Sequence, residues 1–423
     1  MALTQDGVMK LRGEFPALAQ MLDGQPIAFF DGPGGTQVHG SVIDAMTRYF
    51  TEANSNAHGE FEFSRRTDAT VTAAREAMAD LLGARRRDEI VFGPSMTSLA
   101  FNLSRAIGRT LEPGDEVIVT KLDHDANVAP WVALEEQGAV IRRVDFDPAD
   151  CTLDMDGMRA AIGERTKLVA VGAASNAVGT VNDIKTIAQW AHEAGAWIFV
   201  DAVQYAPHAP IDVQALDADF LSFSTYKLFG PHQAVLWGRH ELLDRLPAYK
   251  VIPAADAPPD KFETGTPHFE AMAGATAAVN YIASVGRRFG APELGSPSDD
   301  RRRAALIAGM EAIRTYEQEL TKQLIAGLQR IEGLRIYGIT DSDRVDKRMP
   351  VVSFTLDGLE PDTIARQLGA QAIFLWSGHF YAVHAIEHLG LAEAGGVARV
   401  GINHYNTAEE IDRLLEAIGA IAA

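Results

Sequence analysis

The sequence predicts an α/β fold with two parts: a large domain on a mostly parallel sheet and a smaller α+β domain after it. Three observations point there. Between about residue 70 and residue 240, short apolar runs alternate with helical patterns. Two of those runs end in polar clusters, Trp197–Gln204 and Asp219–Gly230, as buried parallel strands do at a ligand-facing edge. Past a stretch rich in Gly, Pro, Ser and Asp at 286–303, the pattern changes to a long helix, a strand and a capped helix.

Taken in order, residues 1–25 read as a helix and an arm. Phe29–Thr36 is a turn-rich loop, with three glycines and a proline in five residues, which lets backbone approach a ligand closely. The expected strands are Ile90–Phe92, Glu116–Thr120, Val140–Val144, Leu168–Val171, Trp197–Val200, Phe220–Phe223 and Val235–Trp237. Asp183 to Ala194 is a helix between two of them: Ile184, Ile187, Ala188 and Ala191 share a face, and Gly195 suits the position after the cap. The large domain is assigned to 26–290 and the small one to 291–423. In the second, Ile313, Leu320, Leu324, Leu328 and Ile331 stripe a helix that stops near Gly333, and Val351–Thr355 is a strand. Thr407 and Glu410 form a capping box ahead of Ile411, Leu414, Leu415 and Ile418.

The chain has 423 residues, 47% hydrophobic and 22% charged, as in an ordinary globular protein with a large core. Its net charge of −19 argues against nucleic acid or an anionic membrane as a partner. One cysteine, Cys151, excludes an intrachain disulfide and fits a reducing compartment. The N-terminus shows no basic and apolar leader pattern, and no apolar run nears a membrane span, so a cytoplasmic location is expected. No metal site is expected.

Asp201 and Lys227 follow two successive strands and should face one site. Such a pair suits pyridoxal 5′-phosphate (PLP): the lysine forms a Schiff base and the acid pairs with the pyridinium nitrogen. Lys227 follows the apolar Phe220–Phe223 and precedes Leu228-Phe229, an unusual setting for a surface lysine. Asp201-x-x-Gln204 followed by Ser224-x-x-Lys227 resembles the class V aminotransferase and cysteine desulfurase family, of PLP fold type I. The resemblance runs from about Phe29 to Tyr405-Asn406-Thr407.

The resemblance implies a role for each matching residue. Lys227 is the Schiff-base lysine and proton shuttle, Asp201 the partner of the ring nitrogen, and Gln204 a donor to the phenolic oxygen. His124, in Leu122-Asp123-His124-Asp125-Ala126-Asn127, stacks on the ring and moves protons. Ser95-Met96-Thr97, between a strand and a helix, holds the phosphate, as expected of hydroxyls and N–H groups at a helix start. The family has Gly-Thr-Thr there, so Thr97 is the firmer match. Ser224 is a phosphate ligand, Tyr226 replaces a histidine common in desulfurases, and Asn176 lies beside the phenolic oxygen and substrate carboxylate. Thr266, in Gly265-Thr266-Pro267, reaches the phosphate of the other subunit, which implies a homodimer with shared sites. The N-terminal arm packs with the small domain. Gly34 lines the substrate side.

Arg399, in Ala398-Arg399-Val400-Gly401, occupies the place of the arginine that binds the substrate carboxylate, so an amino acid substrate is implied. At the desulfurase loop resembling Thr-Gly-His-His-Cys-Ala, this chain reads Trp376-Ser377-Gly378-His379-Phe380-Tyr381-Ala382. Tyr381 stands where the thiol should, His379 lines the loop, and Cys151 matches a connection far from the cofactor. Desulfuration needs a thiolate to attack sulfur. The leading expectation is therefore β-elimination, a C–S lyase acting on a cysteine-like amino acid. An aminotransferase or epimerase comes next, then a desulfurase, with a PLP-binding scaffold as the non-enzymatic alternative.

Overall fold

The computed structural model describes residues 3–291 and 301–423. Met1, Ala2 and the 292–300 part of the expected domain boundary lie outside them.

Helix α1 (Gln5–Arg12) opens on Thr4, whose hydroxyl accepts the Gly7 N–H, and carries Lys10 and Arg12 in its last turn. Arg12 pairs with Glu410 at 2.8 Å, so the start of the chain lies against its end. Ala28–Phe29 then pairs in parallel with Ile373–Phe374 and leads into the tight turn Gly32–Gly34. Helices α2 (Gly40–Glu52) and α3 (Glu62–Leu82) follow.

All seven expected runs are strands of one sheet: β1 (Ile90–Gly93), β2 (Glu116–Thr120), β3 (Val140–Val144), β4 (Thr166–Gly172), β5 (Trp197–Asp201), β6 (Phe220–Ser224) and β7 (Ala234–Gly238). Their order is β1-β7-β6-β5-β4-β2-β3, with only β7 antiparallel to its neighbours. Alternate residues feed two cores. Ile198, Val200, Leu221 and Phe223 face one side, while Phe199, Phe220, Ala170 and Leu168 face the other. Helices on both faces thus make the strands apolar throughout. Edge strand β3 is the exception: Val140, Arg142 and Arg143 are exposed.

Helix α4 (Met96–Gly108) follows β1 and covers one face. Helix α5 (Ile184–Glu193) is capped by Asp183 and ends at Ala194, with Gly195 left-handed at φ 76°. Helix α6 (Phe269–Val285) packs between α2, α3 and the long α7 (Arg302–Leu328). α7 stops at Leu328, short of Gly333. The chain turns there because it must enter β8 (Leu334–Tyr337), and Gly333 supplies a left-handed residue, φ 74°.

The C-terminal sheet is antiparallel, in the order β8, β9 (Val351–Leu356), β11 (Val397–Gly401), β10 (Trp376–Gly378). Helices α8 (Pro361–Gly369) and α9 (Ala408–Ala422) cover it through Ile364, Leu368, Ile411, Leu414 and Ile418. Thr407 and Glu410 make both hydrogen bonds of the expected capping box. Among the described residues no helix is long and apolar enough to cross a membrane.

Candidate active site

The carboxyl ends of β4, β5 and β6 meet the N-terminus of α4 around a cavity of about 90 Å³. Asp201 is the last residue of β5 and Ser224 the last of β6. A single tight turn, Thr225–Lys227, folds the lysine back over the strand ends. Lys227 is only 6% exposed. Burial, aided by the nearby Arg399 cation, pushes its pKa down to about 8, against the pull of Asp201. Burial raises Asp201 to about 6, opposed by the Val203 N–H at 2.8 Å and by Lys227. A lysine ready to lose its proton therefore faces a carboxylate that stays ionised at neutral pH.

One wall is the start of α4. Ser95 caps it: its oxygen accepts the Ser98 N–H, and Ser98 bonds back to the Ser95 N–H. The Ser95 hydroxyl is thereby engaged within the helix turn. Thr97 keeps its hydroxyl exposed in the first turn. The Met96 N–H donates to Ser224 Oγ at 3.3 Å, bringing that hydroxyl to the helix start. Ser95, Met96, Thr97 and Ser224 all line the cavity, so donors gather where a helix dipole favours an anion.

His124 forms the facing wall. Burial first, then Lys227 and Arg399, pushes its pKa down to about 3, so its imidazole is neutral. The Tyr381 ring stacks on it at 5.4 Å and 21°. Neighbouring Asp123, not singled out in the sequence, also lines the cavity. Its carboxylate accepts the Gly172 N–H at 2.9 Å and the Asn127 side chain at 3.1 Å, and burial raises it to about 8. Its signal was only adjacency to His124, and a caps-and-turns role reads equally well from such a residue. Asn176 and Gln204 complete the wall, each with a buried side-chain oxygen that has no partner among the described residues.

Arg399 enters from β11 of the C-terminal sheet. It is 3% exposed, donates to the Asn176 carbonyl at 2.8 Å, and lies 3.7 Å over the Phe380 ring. Its Nε has no partner among the described residues, and burial lowers its pKa to about 9. Phe380, given no role in the sequence reading, thus supports the guanidinium from the loop that carries His379 and Tyr381. Both of those side chains are exposed. That loop is tied to the large domain by Asn176 Nδ2 donating to the Phe380 carbonyl and the Asp125 N–H donating to the Tyr381 carbonyl. Phe380 and Tyr381 both take left-handed backbone, φ 51° and 58°. Gly34 lies against Trp376, where a Cβ would collide with the indole nitrogen. Tyr226 lines the cavity and stacks on His232 at 4.9 Å. Thr266 is not brought in: it is exposed in a separate groove with Gly265 and Pro267.

These residues fit PLP. A buried amine sits beside a buried carboxylate, hydroxyl and N–H donors meet at a helix start, and side-chain oxygens of Asn176 and Gln204 that have no partner among the described residues belong to the lining of the same space. Fold and cavity define a PLP-dependent enzyme of fold type I. The chain belongs to the Aminotransferase class-V family, which matches residues 28–290 and 304–414. It is 33% identical over 426 residues to a "Probable cysteine desulfurase" of Synechocystis sp., covering 97% of this chain and 94% of that protein. It is 32% identical over 430 residues to a "Probable cysteine desulfurase" of Mycolicibacterium paratuberculosis, covering 98% of this chain but spanning 58% of that longer relative. The solved structure of a cysteine desulfurase from Thermococcus onnurineus NA1 superposes with a TM-score of 0.85 at 26% identity, covering 98% of both chains.

Proposed function

We propose that the protein is a lyase that cleaves the Cβ–S bond of a cysteine-like L-amino acid by β-elimination. The observation that supports this reading is the placement of its thiol. Cys151, the single cysteine, is fully buried, and burial raises its thiol to about 11. It takes no part in the cavity wall, whose His124 is stacked by Tyr381 instead. Sulfur therefore has no protein thiolate to receive it and leaves as sulfide or thiol.

When bound, PLP supplies an electron sink for charge at the substrate Cα. Asp201 would hold the proton on its ring nitrogen, and Gln204 and Asn176 would hold its phenolic oxygen. Thr97 and Ser224 would hold its phosphate, with Ser95 and Met96 beside them at the helix start. Arg399, held flat by Phe380, binds the substrate carboxylate with Gly34 alongside. Lys227 would take the Cα proton, and its lowered pKa suits that task near neutral pH. Tyr381 donates a proton to the departing sulfur, and His124 and His379 border its path. With cysteine, one water is consumed and pyruvate, ammonia and sulfide are released. Thr266, exposed away from its own cavity, is suited to reach the phosphate of a second copy, so the working unit is a homodimer.

The test is product identification with PLP-loaded protein, L-cysteine and a reductant. Pyruvate with sulfide is expected. Alanine with sulfide would overturn the reading in favour of desulfuration, and neither product would point to transamination or epimerisation.

A further inference from the structure

Behind the cavity wall lies a buried pair that the chemistry above does not use. Gln204 Nε2 stands 3.3 Å from His208 Nε2, and His208 Nδ1 stands 2.9 Å from Glu317 Oε2. His208 is 4% exposed and Glu317 1%. Glu317 sits in α7 between Ile313 and Leu320, whose side chains are buried in the core. A carboxylate in such a setting is expensive unless it is paired. The other cations nearby are already engaged. Arg314 donates to the Asp346 carbonyl, and Arg348 donates to the carbonyls of Val178, Tyr337 and Val351. The imidazole of His404 is turned to the Tyr281 hydroxyl. His208 is thus the group placed to neutralise Glu317.

That arrangement has a consequence for Gln204. A His208 ring with a proton on both nitrogens carries, besides the N–H at Glu317, a second N–H at Nε2. This N–H calls for an acceptor, and the amide of Gln204 offers its oxygen after a half-turn of the side-chain end. The same half-turn gives the oxygen, now buried without a partner, a donor, and swings the NH2 group to the cavity side. We propose that the His208–Glu317 pair is a positioning device that orients the Gln204 amide so that its NH2 group donates to the phenolic oxygen of bound PLP. This rests on reading Gln204 as the residue at that oxygen.

The pH titration of the visible absorbance of the PLP-loaded protein tests it. A donor on the phenolic oxygen draws off its negative charge. Without the donor, the oxygen holds the proton on the neighbouring Lys227 nitrogen more tightly, and the pH midpoint of the band rises. His208→Ala and the isosteric Glu317→Gln should each raise the midpoint by about one unit, a tenfold change in protonation ratio, while still binding PLP. Gln204→Leu should shift it similarly, and adding His208→Ala to Gln204→Leu should shift it no further. Should His208→Ala fail to fold, Glu317→Gln carries the same test. A midpoint unmoved in His208→Ala and Glu317→Gln but raised in Gln204→Leu overturns the positioning role alone. If Gln204→Leu leaves the midpoint unmoved, the assignment of Gln204 falls, and the inference with it.

Discussion

Lys227 shows what a buried reactive amine does to the protein that holds it. Its pKa in the folded chain is about 8 against an ordinary 10.5. Below pH 8 the lysine is charged in both states, and the folded state bears the full cost of burying that charge, on the order of 3 kcal/mol. Between 8 and 10.5 the unfolded chain binds the proton more often, so stability climbs with pH across that window. Cofactor-free Lys227→Met should therefore melt higher than the cofactor-free parent at pH 7, with the gap closing towards pH 10.5. A lower melting point at pH 7 would refute this. Arg399 makes a complementary case. Arg399→Lys keeps the charge but loses the planar fork and the stack on Phe380, so kcat/KM should fall about 10–100-fold, mainly through KM. Lys227 and Asp201 were legible in the sequence because each is a charged residue beside an apolar strand. Asp123, Phe380 and Glu317 were not: an aspartate in a loop, an aromatic ring and a helix carboxylate acquire their meaning only from groups distant in the chain.

The loop after β10 concentrates strain. A non-glycine residue in left-handed backbone costs on the order of 1–2 kcal/mol, and Phe380 and Tyr381 are two in a row. Tyr381 is 65% exposed, so little packing is lost by replacing it. Asparagine tolerates this backbone better. Tyr381→Asn should match or exceed the parent in thermal stability while slowing the release of sulfide, and a clear drop in melting temperature would show that the loop is not strained. Thr407 is the opposite kind of residue, spent wholly on structure. Thr407→Ala removes the α9 cap and should cost about 1 kcal/mol, read as a lowering of Tm with KM unchanged. The strands were legible because two helix-covered faces leave an apolar run with almost no interruption. Their ends were not, since Asp201 and Ser224 continue the hydrogen-bonded ladder after the apolar residues stop. Nor was the end of α7, whose stripe includes Ile331 after the helix has already turned.

At the scale of the whole molecule, each half of the chain supplies what the other lacks. The strand ends provide Lys227 and Asp201, while β11 and the loop after β10 provide Arg399 and Tyr381. The alternation of strands and helices revealed the first half. The elements of the second were legible from their patterns too, but the place of Arg399 only through resemblance to a family, because no spacing in the sequence brings Arg399 to Asn176. The proposed dimer predicts an apparent mass near twice 45.7 kDa by light scattering. Thr266→Ala should lose PLP faster than the parent on dialysis, and a monomer that retains PLP normally would refute sharing of the site. Cys151, finally, turns the chain into its own stopwatch. Its sulfur is sealed in the core, so a thiol-reactive dye counts none in the native protein and one per chain in denaturant. The slow colour that develops in between times how often the core opens.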